Sequence, residues 1–148
     1  MGDRGVLELD RDDCLRQLAL GTVGRIAFCR DAFPVVLPVN YRLLDLGAEP
    51  VLLVRTAPGS TIADVPLAVA FEVDGIDVVH RTGWSVLVQG AARRLRDVEA
   101  QHLAARADPD PWVGGDRSTW IVVTPLEISG RRLVDVDAAW SVDVRAYL

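Results

Sequence analysis

The chain contains no lysine; all sixteen of its basic residues are arginines. Schiff-base chemistry needs an amine, and apart from the N-terminus there is none. Histidine is almost as scarce, with only His80 and His102. The two cysteines, Cys14 and Cys29, form no C-x-x-C pair, so a structural zinc site has too few ligands to support it. Two buried free thiols in a reducing compartment are the expected state, with a disulfide between them as the alternative. No apolar run approaches the eighteen or so residues of a membrane-spanning helix. The start, MGDRGVLELDRDD, lacks the basic-then-apolar order of a secretory signal, so a cytoplasmic protein is expected. A net charge of -5 provides no global basic field for nucleic acid.

What is present is a chain of 148 residues, half of them apolar. That length suits one domain spanning residues 1–148. No internal repeat or linker divides it. A helix is expected from Arg11 to Leu20, capped by Asp10, stopped at Gly21 and stapled by Leu9 and Cys14. The pattern then turns to β. Thr22–Phe28, Pro34–Arg42, Val51–Thr56, Leu67–Val73, Trp84–Leu95 and Trp120–Ile128 read as strands, the last ending in a Ser129-Gly130 turn. Asp97–Arg106 reads as a second helix with Asp97 as cap, and Ala107–Ser118 as a loop. Six strands at short spacing with marginal helices predict a mostly β, antiparallel barrel. Several strands are apolar on nearly both faces, which predicts that one outer face packs on a partner subunit.

Three segments carry candidate chemistry. In Arg55-Thr56-Ala57-Pro58-Gly59-Ser60-Thr61, Pro58-Gly59 suits the centre of a type II turn. Ser60 is placed to cap a short helix through Asp64. A guanidinium, hydroxyls and free N–H groups would then converge as a phosphate site. The plainer reading is a capped turn with a solvated arginine. In Pro34–Tyr41, Pro38 cannot donate to a ladder, so this strand lies at an edge or is bulged. Its exposed backbone groups suit a heterocycle, to which Asn40 and Tyr41 can add contacts; the alternative is an ordinary edge strand. In Gly83–Gly90, Trp84 can stack on a flat ring and Ser85 can donate to a polar edge. A core strand with a tryptophan anchor is the competing reading.

These blocks, with Gly24–Ala27, Val69–Asp74 and Pro125–Arg132, resemble in order and spacing the pyridoxamine 5′-phosphate oxidase-like flavoproteins. The likeness runs from about Leu18 to Leu133. It implies an antiparallel split β-barrel of the flavin-reductase-like type with flanking short helices. It also implies a homodimer that binds FMN in two equivalent interfacial clefts. By the same resemblance Arg55, Thr56, Ser60 and Thr61 border the FMN phosphate, and Val39, Asn40 and Tyr41 run beside the isoalloxazine. Trp84, Ser85 and Val86 approach the flavin, across the dimer interface. Relatives often carry lysine where this chain has Thr61, which removes a cation from the phosphate site. Residues typical of pyridoxamine phosphate oxidation are not recognisable near the C-terminus. The implied activity is thus an FMN-dependent oxidoreductase acting on a small molecule. The alternatives are a deazaflavin F420-dependent reductase of the same fold and a non-catalytic flavin-binding or storage module. Of the remaining candidates, His80 reads as a rim residue, His102 as structural and Glu72 as solvated or paired. Trp112 reads as a lid or as packing over a barrel end, and the Arg93, Arg94 and Arg96 cluster as a solvated rim.

Overall fold

The structure is a computed structural model that describes residues 4–45, 47, 49–64 and 68–135. In chain order its elements are β1 (Arg4–Leu9), α1 (Arg11–Leu20), β2 (Val23–Arg30), β3 (Phe33–Asp45), β4 (Pro50–Thr56), β5 (Ala68–Asp77), β6 (Thr82–Arg94), α2 (Asp97–Ala104) and β7 (Thr119–Asp135). The strands form an antiparallel sheet in the order β1-β7-β4-β3-β2-β5-β6. A further β6–β7 pairing closes β7, β4, β3, β2, β5 and β6 into a ring, with β1 appended to β7. Among the described residues no helix is long and apolar enough to cross a membrane.

The ring is closed unevenly, and this positions the site. β3 pairs with β2 from Phe33 to Asn40, but with β4 only from Tyr41 to Asp45. The first half of β3 therefore has one open edge, as Pro38 requires. The Tyr41 amide donates to the Thr22 carbonyl on the β2 side at 3.0 Å. Alternation along the strand then turns the backbone groups of Asn40, Pro38 and Val36 toward the open side. Proline's missing N–H thus falls where no ladder needs it.

Alternate residues of the ring fill its interior: Ile26, Phe28, Tyr41, Leu52, Val54, Phe71, Val86, Val88, Ile121 and Val123. α1 closes one end through Cys14 and Leu18, with Leu9 packed against them as the staple predicts. Asp10 caps α1 by accepting from the Asp13 amide at 2.8 Å. A second cluster, Leu44, Val51, Leu53, Trp120 and Val122, lies outside the ring beneath Leu95, Ala100 and Leu103. The second apolar face of β4 is therefore covered by α2 from the same chain, so two-sided burial there needs no partner subunit.

Several local expectations are corrected. β1 was not foreseen; at the sheet's margin most of its residues are exposed, so it lacks the alternation that marks a half-buried strand. Ser129-Gly130 is not a turn, since β7 continues to Asp135 with Gly130 paired to Val86 and Leu9. Glycine is needed there for packing, because a Cβ would stand 2.7 Å from Cys14 Sγ. The N-cap of α2 is Arg96, not Asp97, and Glu99 reaches back to accept the Arg96 amide at 3.0 Å. Ser60–Asp64 forms turns rather than a helix. Cys14 is buried and Cys29 exposed, both as free thiols. Cys29 stands near the β2–β3 hairpin tip, beyond the reach of the core. Leu67, the expected start of β5, lies outside the described residues.

Candidate functional site

The site is built where β3 and β4 diverge. Their last ladder pair is Tyr41 with Val54, so one step further Asn40 faces Arg55 across the split, and Val39 faces Thr56. Consecutive strand residues point to opposite faces, so these pairs divide. Asn40 and Arg55 belong to the outer face, with Trp120, the cross-strand partner of Arg55. Val39 and Thr56 belong to the inner face. Arg55 and Thr56 therefore project to opposite faces of the strand end rather than converging from one face.

Beyond Thr56 the chain turns at Pro58-Gly59. The Ser60 amide donates to the Ala57 carbonyl at 3.2 Å, and Gly59 has φ +71°, the conformation a type II turn requires of glycine. Ser60 does not cap a helix: its hydroxyl is hydrogen-bonded to Thr56 Oγ1 at 2.7 Å. Without a helix, no helix dipole assists an anion here. One hydroxyl not foreseen from the sequence lies close by. Thr119 is 1% exposed, is the cross-strand partner of Thr56, and its Oγ1 has no hydrogen-bond partner among the described residues. Cross-strand partners place their Cβ atoms about 5 Å apart, so the buried Thr119 hydroxyl lies beside the Thr56–Ser60 pair without bonding to it. Only the strand register, set by the tertiary fold, reveals it.

Arg55 is held on three sides. Its Nε donates to the Arg117 carbonyl at 3.1 Å, and one terminal nitrogen donates to both Asp108 oxygens at 2.9 Å. Its guanidinium carbon lies 5.1 Å from the Trp120 ring centroid. For Asp108, partial burial works toward protonation, but the Asp110 amide and Arg55 outweigh it and hold the carboxyl below its ordinary range. Asn40 is engaged too: its Oδ1 accepts the Trp112 amide at 2.9 Å, and its Nδ2 donates to the Thr22 carbonyl at 3.4 Å. The loop between α2 and β7 thus touches the split at both of its polar outer-face residues.

Tyr41 takes a different place from the one expected. Its side chain is fully buried in the barrel, donating to the Leu18 carbonyl at 2.7 Å and meeting Phe71 edge-on at 4.8 Å. Burial pushes its phenol up to about 12. Only its backbone borders the split, so it has no side chain to offer a ligand there. Thr61 is exposed beside the turn.

Trp84, Ser85 and Val86 are not brought to this place. Trp84 pairs with Arg132 and Arg55 with Trp120, a separation of a dozen residues along β7, roughly 40 Å of extended strand. Val86 is wholly buried in the core. Trp84 is half-buried and lines an open cavity of about 380 Å³ with Gly75, Ile76, Arg132 and Leu133. The other polar candidates are held in ion pairs away from the split. His80 is exposed and paired with Asp77 at 2.6 Å, and Arg25 bridges Glu72 at 3.2 Å and Asp74 at 3.4 Å. Partial burial and the neighbouring Asp74 raise the Glu72 carboxyl despite that arginine.

Residues 10–132 match the family model described as pyridoxamine 5′-phosphate oxidase. The chain belongs to that family. It is 37% identical over 139 residues to an uncharacterized protein of Mycobacterium tuberculosis, covering 88% of each chain. Among solved structures it resembles a conserved protein of unknown function from Corynebacterium diphtheriae. That match has a TM-score of 0.75 and 31% identity, over 87% of this chain and 98% of the other. It also resembles the FAD binding protein from Mycobacterium smegmatis, with a TM-score of 0.67 and 31% identity, over 84% and 96%. The fold is thus the antiparallel split barrel of this oxidase-like family.

Proposed function

We propose that the chain binds a flavin nucleotide at the β3–β4 split and works as a flavin-dependent oxidoreductase on a small molecule. The observation that carries this reading is the open edge of β3. Backbone donors and acceptors from Val36 to Asn40 run beside a turn rich in hydroxyls and an arginine. A flat heterocycle with polar groups along one side fits the edge, and a phosphate fits the turn. The residues that would hold it are Val39 and Asn40 beside the ring, with Arg55, Thr56, Ser60 and Thr61 around the phosphate. When bound, a flavin supplies hydride and electron transfer, and the protein supplies position and electrostatics. This agrees with a site that, among the described residues, holds hydroxyls and an ion pair.

FMN is the cofactor we propose. The relative named for FAD favours FAD as the second reading, since both ligands share the ring, the ribityl chain and the first phosphate. Purified protein should be yellow, and mass spectrometry of the released chromophore separates FMN, FAD and F420. A colourless protein that binds none of the three would end the proposal.

A homodimer, in the cytoplasm, completes the reading. Trp84 and Ser85 lie too far from Arg55 in one chain to meet the same ligand, so a partner would have to supply them. Arg55→Ala and Trp84→Ala variants, each weak in flavin binding, should recover one intact site of two when co-expressed as a mixed dimer. Recovery of none would separate Trp84 from the site.

A further inference from the structure

Both polar outer-face residues at the split are already claimed by one loop. Asp108 takes two of the five N–H donors of Arg55, the Arg117 carbonyl takes a third, and the Trp112 amide takes Asn40 Oδ1. Only the other terminal nitrogen of Arg55 has no partner among the described residues. A carboxylate with two oxygens against a guanidinium has the geometry that a phosphate would adopt there.

We propose that Asp108 is a built-in anion that occupies Arg55 in the free protein, and that a phosphate-bearing ligand binds by displacing it. The inference rests on the flavin-nucleotide reading and adds the residue that sets its selectivity. The exchange is feasible because the pair is partly in water, with side-chain exposures of 24% for Arg55 and 47% for Asp108. Partly exposed pairs contribute little, so a released Asp108 is readily rehydrated. The incoming phosphate carries up to two charges against one and offers more acceptor oxygens. A ligand lacking an anion gains nothing from Arg55 and leaves Asp108 in place. Asp108 therefore selects ligands by charge. Displacement also removes a tie from the loop that reaches Asn40, since Asp108 and Trp112 lie on the same segment between α2 and β7. Binding of the phosphate thereby loosens the loop at its contact with Asn40.

The test compares wild type, Asp108→Asn and Asp108→Ala by titration with FMN, FAD and riboflavin at low and high salt. Amide hydrogen exchange of residues 107–118 is followed with and without FMN. Both variants should bind FMN about two- to fivefold tighter at low salt, the range of an exposed ion pair. The gain should shrink at high salt, and riboflavin affinity should stay unchanged. Exchange in the loop should be faster in both variants, and faster in wild type once FMN is added. Weaker FMN binding in the variants would overturn the proposal, because Asp108 would then be orienting Arg55 for the ligand. An equal change for FMN and riboflavin, or loop exchange that ignores FMN, would overturn it as well. If FMN and FAD bind to none of the three proteins, the flavin reading fails together with this one. If FMN binds all three alike, only the role of Asp108 fails.

Discussion

Tyr41 and Gly21 offer a test of how α1 is fastened to the barrel. The Tyr41 hydroxyl donates to the Leu18 carbonyl, one of the last-turn carbonyls that a helix leaves without an internal partner. Gly21, the C-cap residue, has φ -79° and ψ 158°, an extended conformation open to any residue. Its glycine is demanded by space: a Cβ there would overlap Tyr41 Oη and lie 3.1 Å from Cζ. Tyr41→Phe removes the donor and strands a carbonyl, at a cost of about 1–2 kcal/mol. For a chain of this size that is about 3–8 °C in Tm. Gly21→Ala in wild type should cost about 1–3 kcal/mol by overpacking, less the fraction of a kcal/mol gained by stiffening the unfolded chain. In the Tyr41→Phe background the nearest obstacle becomes the ring carbon, which can retreat a few tenths of an ångström. There Gly21→Ala should be near neutral. Urea denaturation of the four proteins should give a coupling of about 1 kcal/mol or more, above the 0.3–0.5 kcal/mol scatter of independent sites. Costs that simply add would refute the steric account. The buried phenol adds a pH signature. Its folded pKa of about 12 lies above its ordinary value of 10, so the unfolded state loses its proton first. Stability should be intact below pH 10 and fall by up to about 1.4 kcal/mol per pH unit between 10 and 12. In Tyr41→Phe this contribution disappears. Flavin affinity should not change in that variant, because the side chain faces the core.

Arg55→Ala should weaken FMN by about 1.5–3 kcal/mol, the scale of a charge-assisted hydrogen bond; titration should show riboflavin affected less, and equal losses would remove the phosphate role. Thr61→Lys should tighten FMN at low salt, with the gain reduced at high salt, because an exposed residue beside the turn would add a cation next to the phosphate. Glu99 is held at about 2, first by its hydrogen bond from Arg93 and then by the Arg96 amide. Its depressed pKa means that its contribution is present above pH 4.5 and lost as pH falls toward 2. Acid unfolding of Glu99→Gln should consequently show a shallower pH dependence over that interval. Gly75→Ala would place a Cβ 2.5 Å from Trp84 Nε1, so the indole must move and the tryptophan emission should shift.

The sequence by itself determined the local elements whose signals are short-range. The Asp10 cap and the staple of Leu9 with Cys14 marked α1 because capping depends only on neighbours along the chain. Clean alternation marked β5, from Ala68 onward, because one of its faces is wet. Pro38 announced an open edge since a missing N–H is a property of the residue itself. The order and spacing of the blocks carried the family, and with it the barrel. The tertiary structure alone decided which distant residues meet. It put the side chain of Tyr41 into the core and Arg55 against Asp108, and it set Thr119 opposite Thr56. It also covered the outer face of β4 with α2. These outcomes depend on strand register and on a single-residue alternation of faces. A shift of one residue reverses every side chain, and nothing within a few residues of Arg55 specifies that a carboxylate more than fifty positions away will hold it.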